Sequence, residues 1–170
     1  RVQDFYSSIK PEKLDRFKKT METLQMYEIV NRLSQLKLHF QGIFATDTLP
    51  DRLTRFPAAI MCNTDPAEKR GTHWVAFWFK NMYKCEFYDS FGRRPEGCNE
   101  EIRTFIDNNS SICLYNNVQV QPYSAVTCGF QVLFYLYQRA RSISLNVILT
   151  LLSKFPSDDF VRTYVLKNLI

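Results

Sequence analysis

Histidine is scarce in this chain, and closely paired cysteines are lacking altogether. Only two histidines occur, His39 and His73, and the five cysteines form no Cys-x-x-Cys pair. Because structural zinc sites need clustered cysteine and histidine ligands, we expect neither a metal site nor another bound cofactor. An odd number of cysteines cannot all pair within one molecule, so we expect a reducing compartment in which they stay as thiols.

Long apolar runs and a visible secretory signal are also lacking. The longest apolar stretch, residues 130–137, contains a glutamine and is far shorter than the roughly 20 residues that a helix needs to cross a bilayer. We interpret it as a buried helix. No charged start is followed by an apolar segment, and we therefore expect a protein that is not secreted and does not act at a membrane.

The size and charge of the chain set broad limits on its organisation. Its 170 residues fit a single domain over residues 1–170, and a chain of this length buries about 70% of its unfolded surface. The net charge of +5 modestly favours acidic partners such as nucleic acid. However, the densest basic stretch, residues 10–19, also carries Glu12 and Asp15, which favours a solvated helix face over a DNA footprint.

The first quarter of the chain shows a helical period. Apolar residues recur every three or four positions behind a proline, and this pattern predicts one long or two short amphipathic helices over residues 11–37. The residues that carry the pattern are Pro11, Leu14, Phe17, Met21 and Leu24. Residues 1–24 are interpreted as an N-terminal helical extension, and Gly42 with residues 47–51 as loop.

The remainder of the chain predicts an α+β fold. Strands are expected at residues 57–62, 73–79 and 85–89, with one or two more within 112–120, and the strands at 73–79 and 85–89 should form an antiparallel hairpin. Helices are expected at residues 100–106, from 127 to about 139, from 144 and from 157. Together these elements predict a small central, mostly antiparallel sheet with helices around it.

Four residues occur in an order that suggests a cysteine nucleophile. They are His73, Asp89, Gln121 and Cys128. A thiol needs a base to remove its proton, a group to orient that base and a donor for the oxyanion that forms on attack. Histidine, aspartate and glutamine are suited to these three tasks, so we expect all four residues to be catalytic.

Local sequence supports this interpretation of the site. Thr127 is placed to cap a helix that begins with Cys128, where free amide groups favour the negative charge of a thiolate. His73 at the start of one strand and Asp89 at the end of its antiparallel neighbour should meet at one end of the hairpin. Trp74 is expected to shield the imidazole with its flat face.

Each of these residues also has an ordinary structural explanation. A cysteine is commonly an inert buried side chain, and a histidine on an apolar strand commonly has only a structural hydrogen bond. An aspartate before Ser-Phe-Gly can be a simple turn residue, and a glutamine before a proline is common in loops. The case for catalysis therefore depends on the four residues meeting in space.

The same residues carry a resemblance to a known family. The chain resembles the adenovirus endopeptidase (adenain) family of cysteine proteases, whose relatives are encoded by Maverick/Polinton elements and virophages. The matching segments are residues 40–47, 71–77, 88–92, 121–129 and 144–148. The resemblance covers roughly residues 25–155.

This resemblance implies an adenain-like α+β fold, with the nucleophile at the N-terminus of a central helix, and a thiol endopeptidase activity. It implies cleavage of viral capsid and core precursor proteins at glycine-containing sites during virion maturation, within the virion and the cytoplasm or nucleus of the host cell. His73, Asp89, Gln121 and Cys128 take the roles of base, orienting group, oxyanion donor and nucleophile. We expect a monomer, and the resemblance also implies activation by DNA or by a peptide bound through a cysteine, for which Cys113 is the nearest candidate.

The chain departs from the adenain family in three ways, and two alternative functions remain. Adenain has glutamate where Asp89 stands, the segment from Asp89 to Cys128 is shorter here, and residues 1–24 are an extension. One alternative is removal of ubiquitin or SUMO-like modifiers, although deconjugating relatives place the glutamine one residue nearer the cysteine. The other is a non-catalytic module that binds capsid or nucleic acid.

Overall fold

The computed structural model describes residues 21–170. Within this range the chain forms six α-helices and five β-strands. In chain order these are α1 (Thr23–Arg32), α2 (Ser34–His39), β1 (Phe40–Ala45), β2 (Ala58–Asn63), β3 (Trp74–Phe79), β4 (Lys84–Tyr88), α3 (Glu100–Asn109), β5 (Ile112–Tyr115), α4 (Cys128–Ala140), α5 (Leu145–Ser153) and α6 (Ser157–Asn168). The α+β fold is thus confirmed.

The five strands form one mixed sheet in the order β1-β2-β3-β4-β5. The pairings β2–β3 and β3–β4 are antiparallel, whereas β1–β2 and β4–β5 are parallel. The prediction of a mostly antiparallel sheet is therefore wrong for both edges. Parallel neighbours need a crossover connection, and α3 supplies it between β4 and β5.

The sequence does not predict strand β1, because Gly42 is typical of a loop. Gly42 has a φ of +146° and lies at a register shift where Phe40 pairs with Ala59 but Gly42 already pairs with Ile60. This is a β-bulge, at which glycine supplies a backbone conformation that other residues rarely adopt. The glycine therefore marks an irregularity inside the strand.

The sheet is buried on both faces. Alternating side chains of β2 and β3 point to opposite sides, and every residue of β2 is buried. Helix α3 covers one face and packs Ile102, Phe105 and Ile106 onto it. The other face holds the larger core, formed with α4, α5, α6 and the N-terminal helices. This two-sided burial explains why β2 and β3 read as continuous apolar runs.

Helix α4 is fixed to the sheet by polar and aromatic contacts. The ring of Tyr135 stacks on that of Tyr88, with centroids 4.4 Å apart. Further along the helix, the Glu86 carboxylate accepts hydrogen bonds from the Tyr135 hydroxyl at 2.7 Å and from Arg139 Nε at 2.8 Å. Since α4 begins with Cys128, these contacts also fix the position of the candidate nucleophile.

The predicted N-terminal helices are confirmed only in part. Residues 21–37 contain α1 and most of α2, separated at Leu33, whereas the extension up to residue 20 and the basic stretch at residues 10–19 lie outside the described residues. Leu24, expected on the apolar face, is 75% exposed. Met26, Ile29 and Val30 form the buried face instead.

The other helix predictions hold with shifted ends. Helix α3 runs to Asn109 rather than Ile106, α5 follows Ser144, which caps it, and α6 begins at Ser157. In the 112–120 segment one strand forms and ends at Tyr115. Among residues 21–170, the helices all fall short of the length and hydrophobicity that a bilayer crossing demands.

Candidate active site

The hairpin of β3 and β4 brings His73 and Asp89 together. His73 directly precedes β3 and Asp89 directly follows β4, and the antiparallel pairing of Ala76 with Tyr88 places both at the same end. Imidazole Nε2 lies 2.7 Å from carboxylate Oδ1. Both residues are buried, with Asp89 fully inaccessible to solvent. The predicted contact between them is thus present.

The Asp89 carboxylate is held by more than the histidine. The backbone N–H of Phe91 donates to Oδ1 at 2.8 Å, and Arg93 Nε donates to Oδ2 at 2.7 Å. Burial alone would raise the pKa of Asp89, but the hydrogen bond and charge of His73, together with these donors, outweigh it and lower the pKa. Asp89 is therefore ionised at neutral pH.

Asn116 fixes the backbone on which Asp89 is carried. Its side-chain oxygen accepts from the Asp89 backbone N–H at 3.0 Å, and its Nδ2 donates to the Asp89 carbonyl at 2.6 Å. Asn116 is fully buried. The Asn116 side-chain amide thus pairs with both backbone groups of Asp89, as a neighbouring strand would, just beyond the end of β4.

Phe91 covers one face of the imidazole. The Phe91 ring stacks on the His73 ring with centroids 4.4 Å apart and planes inclined by 14°. The chain reverses direction here because Gly92 has a φ of +71° and donates its N–H to the Asp89 carbonyl at 2.7 Å. Trp74 lines the cleft beside Cys128 and packs on the larger core. The expectation that it shields the imidazole stays a prediction.

Cys128 lies on the remaining side of His73. It is the first residue of α4 and is 4% exposed. Burial would lower the pKa of His73, but hydrogen bonding and charge interaction with Asp89 and then with Cys128 raise it. Because Asp89 occupies Nε2, Nδ1 is the ring nitrogen that is left for the thiol.

The start of α4 differs in one detail from the prediction. Thr127 occupies the N-cap position, but its side chain makes no capping hydrogen bond. Its hydroxyl bonds instead to the carboxylate of Asp158 in α6. An N-cap requires the side-chain oxygen to accept from a first-turn N–H, and because the Thr127 hydroxyl bonds to Asp158 instead, the first-turn amides have no Thr127 cap.

Gln121 is buried in the loop that leads to α4. Its Oε1 accepts a hydrogen bond from the Ser90 hydroxyl at 2.7 Å, and its Nε2 donates to the Ala125 carbonyl at 2.7 Å. The amide carries two hydrogens, and Ala125 uses one. Within the described residues Gln121 makes no hydrogen bond to His73, Asp89 or Cys128, so it is linked to the other three through Ser90, the neighbour of Asp89.

A cleft of about 440 Å³ opens beside Cys128. Its volume is in the range that binds a peptide side chain or a small ligand. Its lining consists of residues 21–23, 43–45, 65–67 and 69–72 with Thr48, Asn63, Trp74 and Cys128. Cys128, the candidate nucleophile, therefore forms part of the wall of a cleft.

The cysteines outside this site make different contacts. All five cysteines are free thiols, and Cys85 and Cys113 are direct partners across β4 and β5. Hydrogen bonding to Cys85 and burial raise the pKa of Cys113. Within residues 21–170, no group of three His, Cys, Asp or Glu side chains is arranged to hold a metal ion.

Sequence reasoning missed Ser90, Phe91, Arg93 and Asn116. The first three lie within four residues of Asp89, so their position beside a candidate orienting acid was the available signal. Asn116 carried no such signal, because it is 27 residues from Asp89 in sequence.

No protein-family model matches the chain, and no curated protein matches it. Among solved structures, the crystal structure of the selenomethionine ASFV pS273R protease is similar, with a TM-score of 0.41 and 20% sequence identity. The alignment covers 66% of this chain and 44% of that protease.

Proposed function

We propose that this chain is a cysteine endopeptidase. The observation that carries the proposal is the 2.7 Å contact between Asp89 and His73, with Cys128 near enough to His73 to raise its pKa, at the first turn of a helix and beside a cleft. A buried base with an orienting carboxylate on one nitrogen and a thiol on the other is the arrangement that thiol-dependent acyl transfer needs.

The reaction follows from this geometry. His73 Nδ1 takes the proton of the Cys128 thiol, and the sulfur attacks the carbonyl carbon of the peptide bond. The oxyanion that forms is stabilised by the backbone N–H of Cys128 and the second N–H of Gln121 Nε2. Protonated His73 then gives its proton to the leaving amine, and water hydrolyses the thioester by the same base. Asp89 holds the ring in one orientation throughout.

As natural substrates we propose viral capsid and core precursor proteins cut at glycine-containing sites, within the virion or the host cell. The resemblance of residues 121–129 and their neighbouring motifs to the adenain family motivates this choice. Activation by DNA or a peptide and a monomeric state belong to the same proposal.

Replacing Cys128 by alanine should abolish peptide-bond cleavage, because Cys128 is the thiol beside the base His73 and its sulfur forms the thioester. The measurement is mass-spectrometric mapping of new termini in a virion precursor expressed with the protease. Cys98→Ala is the matched control, since Cys98 is a half-buried free thiol outside the contact from Asp89 to Cys128, and it should cleave normally.

Cleavage by the Cys128→Ala protein would refute the proposal. Release of a ubiquitin-like modifier, with no cut in the precursor, would instead support a deconjugating enzyme. If iodoacetamide labels Cys128 at near-neutral pH no faster than a free thiol, the chain is better described as a non-catalytic binding module.

A further inference from the structure

Arg93 contacts the one oxygen of Asp89 that the histidine does not use. Its Nε lies 2.7 Å from Oδ2, while Oδ1 is shared by His73 at 2.7 Å and the Phe91 N–H at 2.8 Å. The Asp89 carboxylate therefore lies between two groups that can be positively charged. Arg93 is not among the residues predicted for the site, and its contact with Asp89 bears on how the carboxylate interacts with His73.

The turn that follows β4 holds Arg93 in this place. An added Cβ on Gly92 would lie 2.7 Å from the backbone of Val118 and Gln119, so the turn packs tightly on the segment before α4. The Arg93 guanidinium also lies 5.7 Å from the centre of the Phe91 ring, which stacks on His73. The side chain therefore has two anchors, a carboxylate and an aromatic face.

We propose that Arg93 is a positioning residue that limits how strongly Asp89 holds a proton on His73. This inference rests on the proposed peptidase function. An unshared buried carboxylate would stabilise the imidazolium strongly and make it a poor acid toward the leaving amine. Because Arg93 neutralises part of the Asp89 charge, His73 stays able both to accept and to release its proton.

Among the charged and titratable groups near Asp89 and His73, Arg93 is the cation that contacts the Asp89 carboxylate besides His73 itself. His73 faces Asp89 and Cys128. Cys98 is near Asp89, and burial followed by the Asp89 charge raises the pKa of Cys98 to about 11, so this thiol is uncharged at neutral pH; Glu96 acts on the same thiol. The Arg93 side chain is 43% exposed, so salt should weaken its influence without removing it.

The test is an NMR titration of the histidine rings in the full chain carrying Cys128→Ala, which removes the coupled thiol. His39 and His73 are the only two histidines, and His39, packed edge-on against Trp78, serves as the internal standard. Arg93→Leu should raise the midpoint of His73 by about half a unit to one unit, because the full charge of Asp89 then acts on the imidazolium.

Three further variants separate charge from structure. Arg93→Gln keeps a donor but loses the charge and should behave like Arg93→Leu, whereas Arg93→Lys keeps the charge and should stay near the parent. Arg94→Leu removes the same charge from the neighbouring arginine, which stacks over Tyr115, and should leave His73 unchanged. A His73 midpoint that stays constant or falls in Arg93→Gln would overturn the proposal.

Peptide hydrolysis by the thiol-containing protein gives the second readout. Arg93→Gln should lower kcat by about tenfold at neutral pH and leave KM unchanged, because Arg93 acts through Asp89 and His73. A raised KM with unchanged kcat would overturn the proposal in favour of a substrate contact. If the unsubstituted chain cleaves no peptide, the proposed function fails, and the NMR result still decides the role of Arg93.

Discussion

Asp89 shows how much one side chain can determine in this protein. It is fully buried, accepts hydrogen bonds from His73, Phe91 and Arg93, and has its backbone fixed by Asn116. A simple turn aspartate would be solvated and would need none of these partners. The cost of burying the charge is offset only because several donors converge on it.

The contribution of the Asp89–His73 pair to stability should depend on pH. The pKa of Asp89 is lowered from its ordinary 3.8, so its contribution is present above pH 3.8 and is lost as the pH falls through the lower folded value. The pKa of His73 is raised from 6.5, so its contribution is full below pH 6.5 and is lost as the pH rises through the higher folded value. The stability difference between the parent and Asp89→Asn should therefore be largest from pH 3.8 to 6.5, measured by urea unfolding. A difference independent of pH would contradict this account.

At the scale of elements, the turn after β4 connects two halves of the site. Asp89 orients the histidine, and the next residue, Ser90, donates from its hydroxyl to Gln121 Oε1 and accepts at its carbonyl the backbone N–H of Gln121 at 3.0 Å. This bond determines which end of the Gln121 amide faces the Ala125 carbonyl. The orientation of the predicted oxyanion donor thus depends on the segment that also carries the acid.

Ser90→Ala should lower kcat by about tenfold, because the Gln121 amide loses the partner that orients it, and Gln121→Ala should lower it by about a hundredfold to a thousandfold. The decisive variant is the double substitution, which should be no slower than Gln121→Ala alone. Steady-state kinetics on one cleavable peptide give all three values. Additive losses in the double variant would show that Ser90 acts independently of Gln121.

How far sequence reasoning reached also depends on the element. Strand β3 is predictable because aromatic and β-branched residues dominate it, and β4 because it can pair with β3 across the short turn between them. The hairpin then places His73 beside Asp89. Strand β1 is not predictable in the same way, because sequence alone does not distinguish a glycine at a β-bulge, such as Gly42, from a glycine in a loop. The stacking of Phe91 on His73 was missed because it depends on the positive φ of Gly92, which no periodicity records.

At the scale of the whole molecule, the start of the described chain packs on the nucleophile helix. Met21 is buried and lines the same cleft as Cys128. An added Cβ on Gly129 would lie 2.7 Å from Met26 Cε and 2.8 Å from Met21 Cβ. The absence of a side chain at Gly129 therefore lets α1 approach the first turn of α4 and close one wall of the cleft.

Gly129→Ala should destabilise the fold by about 1 to 3 kcal/mol, because Met21 Cβ is fixed to the backbone and cannot move aside as the Met26 methyl can. Gly97→Ala is the matched control, since nothing lies within 4 Å of its added Cβ. Chemical denaturation midpoints of the two variants provide the comparison. Equal midpoints would show that the contact between α1 and α4 is looser than described.

The tight turn at residues 89–92 has a consequence for how such a chain can change in length. Four consecutive positions there provide the orienting acid, the partner of the glutamine, the cover of the imidazole and the bend that packs on residues 118–119. Inserting or deleting one residue would displace all four side chains or backbone groups from their partners at once, and no single substitution could restore these contacts. Gains and losses of length should therefore be accepted outside these four positions and rejected within them.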